Sequence, residues 1–312
     1  TGVRRAIIAE SDLNDTRLAL PAREGGLGMD AQWSDDFHHA LHTVLTGERS
    51  GYYEDFGTFQ QLGKAFSEGF VYTWEWSRHR RRMHGSPSWR LDTSAFVVCA
   101  QNHDQVGNRM MGDRLSSLVS RRRLKMAAAA VLLSPYIPLL FMGEEYGETG
   151  PFLYFTSHGD KGLAEAVREG RKREFSAFGW KEEPPDPQDE NTFSRCRLDW
   201  GRTASPEGRE LLALYKALIA LRKHEPSLRP GPREGMVVRC AEDKATISLF
   251  RKGSSSATFT IFNFSDKPVS RGLPPGNWTT LFDPDAPYAA PSPAAEIELP
   301  PESFRVYRRT ER

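Results

Sequence analysis

Three short, nearly continuous apolar runs, each ending in a cluster of acids and amides, restrict the folds open to this chain. Ala6-Ile7-Ile8-Ala9 leads into Glu10-Ser11-Asp12. Ala95-Phe96-Val97-Val98-Cys99-Ala100 leads into Gln101-Asn102-His103-Asp104, and Ile137-Pro138-Leu139-Leu140-Phe141-Met142 into Gly143-Glu144-Glu145. Apolar runs of this length without alternation suit parallel strands covered on both faces. Met29–Trp33 is a weaker candidate for a fourth. The first run reaches back to Val3-Arg4-Arg5 and wants a strand neighbour on each side, so the start is expected to be a cut inside a larger protein.

Helical segments separate the runs. Ser34 or Asp35 can cap a helix through Phe37–Thr46, Thr58–Glu68 forms another, and the Ala-rich Arg121–Leu133 is stopped by Ser134-Pro135. Strand and helix in this rhythm predict a parallel α/β arrangement. After the polar loop Pro184–Asp189, Ser205–Leu221 reads as a long amphipathic helix. Ser205 is its N-cap, Pro206 its first position, and Leu211, Leu214, Leu218 and Leu221 its apolar stripe. The texture changes after Pro230-Gly231-Pro232. Met236–Arg239, Thr246–Arg251, Ala257–Phe264, Trp278–Phe282 and Phe304–Tyr307 are short, β-branched or aromatic, and separated by turn residues. They predict a small antiparallel β domain.

Composition excludes several functions. A net charge of +1 over 312 residues lacks the basic excess of a general nucleic-acid binder. Of the basic runs Arg80–Arg82 and Arg121–Arg123, the second opens the Ala-rich helix on its solvated face. Cys99, Cys196 and Cys240 are odd in number and far apart. That usage belongs to a reducing compartment, so a cytoplasmic location is expected. No stretch approaches the ~20 apolar residues of a membrane helix.

In a (β/α) barrel the catalytic groups follow the C-terminal ends of the strands. Glu10, Asp104 and the Glu144/Glu145 pair fall in that register, which fits a general acid acting beside stabilising carboxylates. Strand-end acids also cap helices. For Asp12 that reading, or an orienting role, is preferred, and it competes at Asp104. The segment Gln101-Asn102-His103-Asp104-Gln105-Val106-Gly107-Asn108-Arg109 decides the matter, because hydrogen-bonding side chains crowd it directly after a buried strand. Such density is costly unless a polar ligand uses it. Sugar hydroxyls, which both donate and accept, are the match.

Segment Gln101–Arg109 resembles the seventh-strand region of the α-amylase superfamily, glycoside hydrolase family 13, with its Asn-His-Asp triplet. Ala9-Glu10-Ser11-Asp12-Leu13-Asn14 resembles the fifth-strand region that carries the general acid. Trp33-Ser34-Asp35-Asp36-Phe37-His38-His39, Phe141-Met142-Gly143-Glu144-Glu145-Tyr146 and Leu163–Arg171 resemble the branch that releases trehalose from the end of a maltooligosyltrehalose. The likeness is spread over most of residues 1–225. It implies an α/β fold: the C-terminal portion of a (β/α)8 TIM barrel, about strands 5–8, over residues 1–230, then a small antiparallel β-sandwich over 231–312.

The resemblance also implies roles. Glu10 would protonate the departing glycosidic oxygen and then act as base on water, which calls for a raised pKa. Asp104 would stay ionised and stabilise the oxocarbenium-like charge, with His103 bonding the same ring. Gln105, Val106, Gly107, Asn108 and Arg109 would line the subsites next to the cut. Asp35, Asp36, Phe37, His38 and His39 would line them on the product side. The family's nucleophile is an Asp in an Arg-x-Asp-Ala string after the fourth strand, and no such string exists here. Gly28-Met29-Asp30-Ala31 follows Glu10, so Asp30 reads as a sixth-strand residue and the nucleophile is expected upstream of Thr1. The expected partners are maltooligosyltrehalose or another α-glucan oligosaccharide and the N-terminal remainder of the same enzyme. No cofactor, nucleic acid or membrane is expected.

Other readings stay open. A glucan branching enzyme or another transferase of the superfamily would use the same carboxylates, and a non-catalytic glucan-binding fragment would use none. His38 and His42 lie one helical turn apart, but no zincin Glu lies between them and no third ligand lies at a telling distance, so no metal is expected. Trp74, Trp76 and Trp89 read as core or interface packing in preference to sugar stacking. Tyr52, Tyr53 and Phe56 fit either role equally. Which of Glu144 and Glu145 serves the site is open.

Overall fold

The computed structural model describes residues 2, 5–177, 184–286, 290, 292–294 and 296–310, so Val3 and Arg4 of the first apolar run lie outside it. The chain opens on β1 (Ile8–Ala9) and β2 (Ala31–Trp33), then α1 (Asp35–Thr46) and α2 (Phe59–Glu68). The strands β3 (Thr73–Ser77) and β4 (Arg82–Gly85) lead to β5 (Phe96–Val98). Helices α3 (His103–Gly107), α4 (Leu115–Leu118) and α5 (Arg121–Leu132) precede β6 (Ile137–Pro138). Next come α6 (Lys161–Ala177), α7 (Glu190–Ser194) and α8 (Pro206–His224). The C-terminal region holds β7 (Met236–Ala241), β8 (Thr246–Lys252), β9 (Ser256–Asn263), β10 (Val269–Gly272), β11 (Trp278–Phe282), β12 (Ser292–Ala294), β13 (Glu296–Leu299) and β14 (Ser303–Thr310). The chain divides into two compact units. One comprises Thr1–Ala100, Lys125–Leu139 and Ala213–Arg312, the other Gln101–Leu124 and Leu140–Leu212.

In the first unit β1, β2, β5 and β6 form one sheet in that order, every pair parallel. The apolar runs and the weaker fourth candidate therefore become neighbours, as their unbroken hydrophobicity requires. The ladders are shorter than the runs: β1 pairs only over Ile8–Ala9, β5 over Phe96–Val98 and β6 over Ile137–Pro138. Among the described residues β1 pairs with β2 alone, and Ile7 beside it is 62% exposed.

Local signals set the helices. Ser34 Oγ accepts from Phe37 N at 3.2 Å and so caps α1, which ends on Gly47 at φ 81°. Thr58 and Gln61 form a capping box on α2. The two helices bury aromatic rings over the sheet: Phe37 lies 5.1 Å from Phe66 and 6.2 Å from Tyr136, and Tyr136 lies 5.4 Å from Phe96, all edge-on. Arg222 of α8 donates to the carbonyls of Leu132, Ser134 and Tyr136, satisfying the end of α5 where Pro135 stops it.

The C-terminal strands form a six-stranded antiparallel sheet, β12-β11-β14-β9-β8-β7, and a two-stranded one, β10-β13. Ile297 and Leu299 of β13 pack on Phe259, Ile261, Trp278 and Tyr307 of the larger sheet. The opposite face of that sheet carries Phe262, stacked 5.7 Å from Phe66 of α2. With both faces covered, β9 is buried along its whole length.

The hairpin β3–β4 was not visible in the sequence. Trp74 and Trp76 on it, and Trp89 after it, are 65%, 58% and 74% exposed, so none of them packs in the core of this chain. Trp74 sits at a bulge with φ 96°, a backbone state that side chains seldom adopt.

Phe66 touches both the α1 core and the β sheet, so Phe66→Ala is expected to destabilise the protein by about 3–5 kcal/mol in urea unfolding. A loss below about 1 kcal/mol would mean that the ring is not a shared anchor.

Candidate active site

The first unit supplies the acids that follow β1 and β2. Glu10 comes directly after β1 and is exposed. Two residues on, Asp12 Oδ2 accepts from Arg80 at 2.8 Å. Burial raises the Asp12 carboxyl, but the hydrogen bond and charge of Arg80 outweigh it and hold the group below the usual carboxylate range. Asp12 is thus held by the turn between β3 and β4, which fits the orienting role; the neighbouring cap, on Arg17 N, belongs to Asp15. Asp30 precedes β2 and accepts from Ile7 N at 2.9 Å, so it lies at the start of that strand, away from its C-terminal end.

The segment 35–39 divides by function. Asp35 is half-buried at the first position of α1. Asp36 is buried, and its Oδ2 accepts from Asn14 Nδ2 at 2.7 Å and from the amides of Val71 and Tyr72 at 2.8 Å each. Burial pushes its carboxyl up to about 6 against the pull of those donors. Phe37 faces the core described above. His38 has both ring nitrogens in protein contacts, Nδ1 with the Ala100 carbonyl at 2.9 Å and Nε2 with Tyr53 Oη at 3.2 Å. His39 stacks on Tyr52 with centroids 4.7 Å apart, and His42 stacks on Tyr53 at 4.5 Å while its Nε2 meets Glu48 at 2.8 Å. Burial, then the charges of His42 and Arg80, push His39 down to about 3, so its ring is neutral. Helical spacing aligned the histidines, but their tyrosine partners come from a loop that no periodicity marks.

Arg80 is the residue that sequence reasoning missed. Read earlier as part of a basic run, it holds Asp12 from a turn that Asp55 fixes through Ser77 Oγ, Arg78 N at 2.8 Å and His79 N at 3.1 Å.

The second unit carries the segment 101–109. Asn102 caps α3, its Oδ1 accepting from Gln105 N at 2.7 Å, so the capping task falls to Asn102 and not to Asp104. Asp104 lies in the first turn, where the helix dipole favours a carboxylate, with His103 Nε2 3.6 Å away. Val106 and Gly107 are buried, Gln105 and Arg109 half-buried, and His103 and Asn108 exposed. Arg171 of α6 donates to Asn108 Oδ1 at 3.2 Å and to the Gly107 carbonyl at 3.0 Å, with its guanidinium 4.7 Å over the Tyr154 ring. Glu144 is buried beside Gln101 Nε2 at 3.5 Å, whereas Glu145 is half-buried. Arg114, with no exposed surface, donates to the carbonyls of Met142 and Gly150 and fixes that loop.

A parallel sheet with an acid directly after β1 and a polar segment after β5 has the α-amylase-like fold. A Salmonella typhimurium protein assigned as an α-amylase superposes with a TM-score of 0.83 at 37% identity, covering 97% of this chain and 51% of that one. The α-amylase of H. orenii shares the fold at 16% identity, with a TM-score of 0.57 over 97% of this chain and 53% of its own. No family model matches the chain. Sequence comparison is more specific: the malto-oligosyltrehalose trehalohydrolase of Rhizobium sp. (strain M-11) is 42% identical over 97% of this chain and 50% of its own length. That of Saccharolobus solfataricus is 48% identical over 70% of this chain and 37% of its own. The chain belongs to the malto-oligosyltrehalose trehalohydrolase family and spans about half the length, or less, of the curated relatives it matches. Among the described residues no helix is long and apolar enough to cross a membrane.

Below about pH 6.5 an unfolded histidine takes up a proton that buried His39 refuses until about pH 3, so stability falls as pH drops through that window. His39→Phe keeps a ring on Tyr52 and removes the proton. Its urea midpoint is expected to fall less than that of the parent over the same window, and equal losses would assign the titration elsewhere.

Proposed function

We propose that the chain is the part of a retaining glycoside hydrolase that carries strands five to eight of a (β/α)8 barrel and, from about residue 231, a C-terminal β-sandwich. The enzyme cleaves the α-1,4 bond next to the trehalose end of a maltooligosyltrehalose and releases trehalose. One observation carries this reading. Glu10 directly follows β1, in a sheet whose strands all run parallel, within a chain matched along 97% of its length by a relative of that name.

Glu10 is the general acid, which protonates the leaving oxygen and then takes a proton from water. Asp104, in the first turn of α3, stays ionised and stabilises positive charge on the sugar, and His103 beside it bonds the ring. The nucleophilic Asp comes from the part of the enzyme that precedes this chain, so that N-terminal part is its obligate partner. Within 105–109, Gln105, Asn108 and Arg109 are the residues with polar side chains for sugar contacts, while buried Val106 and Gly107 shape the turn. Asp35 and His39 contact the product side. Asp36, Phe37 and His38 hold α1 in place through the contacts already described. No metal or cofactor enters this chemistry.

Glu10→Gln in the full-length enzyme is expected to lower trehalose release from maltooligosyltrehalose by about 10²–10⁴-fold while substrate binding persists. Unchanged turnover would remove Glu10 from the mechanism. Transfer of glucan to a sugar hydroxyl, with no free trehalose, would make the protein a branching-type transferase.

A further inference from the structure

Two arginines are buried in the first unit without an acidic partner. Arg222 and Arg251 are 9% and 6% exposed, and among the described residues no carboxylate lies within ion-pair distance of either. Their donors go to backbone oxygens. Arg222 takes the carbonyls already named, and Arg251 donates to the Ser134 carbonyl at 3.3 Å and to that of Arg229 at 2.6 Å. The Ser134 carbonyl thus accepts from two cations. Burial, and then the like charge of Arg222, depress the Arg251 guanidinium to about 9. Buried charge of one sign normally has a counter-charge, because desolvation is otherwise uncompensated.

Arg251 also lines a cavity of about 290 Å³. Arg229, Lys252, Gly253 and Ser254 line it too, and Glu234 is the single acid on its wall, which leaves a positive excess. Gly253 closes one side: a Cβ there would lie 2.8 Å from Ser227 N, so only glycine lets the β8–β9 turn approach that closely. The lining also includes Pro135, which follows α5 and precedes β6. The cavity therefore adjoins the start of β6, the end of the strand remote from where catalytic groups act in such sheets.

We propose that this cavity is a binding site for a small phosphate-type oxyanion, free or as a sugar phosphate monoester. The anion supplies the charge that Arg251 lacks, takes hydrogen bonds from the Ser254 hydroxyl and the Lys252 ammonium, and ties the β8–β9 turn to the entry of β6. The site is distinct from the carbohydrate site proposed above and does not depend on that reading.

The test is thermal unfolding of the full-length protein, titrated with inorganic phosphate at constant ionic strength set by sodium chloride. The Tm is expected to rise by a few degrees and to saturate. Lys252→Gln, at an exposed position, is expected to weaken the apparent phosphate affinity about tenfold through loss of one charge-assisted bond. Glu234→Gln, also exposed, is expected to tighten it. Parallel titrations with glucose 6-phosphate and glucose separate the sources: tighter binding of the monoester identifies a sugar phosphate, weaker binding identifies free phosphate, and glucose alone is expected to leave the Tm unchanged. An equal rise with chloride alone, or affinities unmoved by both substitutions, would overturn the proposal.

Discussion

The Asp36 carboxylate joins three stretches of chain that have no reason of their own to meet. One oxygen accepts from Asn14 in the loop after β1 and from the amides of Val71 and Tyr72 at the entry to the hairpin, while its own backbone starts α1. Burying a carboxylate is expensive, and here the expense shows as a group pushed up to about 6 in spite of three donors. What the arrangement secures is position. The loop that bears Glu10 and Asp12, the helix that bears the histidines and the hairpin that bears Arg80 are fixed relative to one another through this atom and through the Arg80–Asp12 pair.

A second constraint acts at the end of α5. Its last carbonyls would lie buried without donors, since Pro135 prevents the helix from continuing. Arg222 and Arg251 satisfy them and bring α8 and β8 onto the same spot. On the other side, Phe66 bridges the α1 core to the face of the large β sheet. The C-terminal β region is therefore integral to the unit that carries the parallel sheet, which explains why contact geometry groups them although composition changes sharply near Pro230.

Much of the architecture could be read from local pattern. Three unbroken apolar runs marked three of the four parallel strands and Met29–Trp33, more weakly, the fourth. The polar residues at Ser34-Asp35 and Thr58 marked the helix starts, and short aromatic stretches between turn residues marked most of the C-terminal strands. The hairpin escaped because Trp74 and Trp76 look like core residues in a sequence, whereas both are exposed on a hairpin with a bulge at Trp74. The candidate site was legible as a set of polar residues after strands. It was not legible as a division of labour: nothing in the string Asp35–His39 says that Phe37 faces the core, that Asp36 is a backbone clamp or that His38 spends both nitrogens on protein atoms.

The sequence alone determined the class of fold, the family and the place of the acids directly after apolar runs, because these depend on periodicity and on short strings whose chemistry is local. Tertiary structure alone decided which polar residues are structural, that Arg80 holds Asp12, and that Arg222 and Arg251 both donate to the Ser134 carbonyl. Each of those contacts joins residues far apart in the chain, and long-range proximity leaves no trace in local pattern. It arises only when the hydrophobic faces have closed on one another.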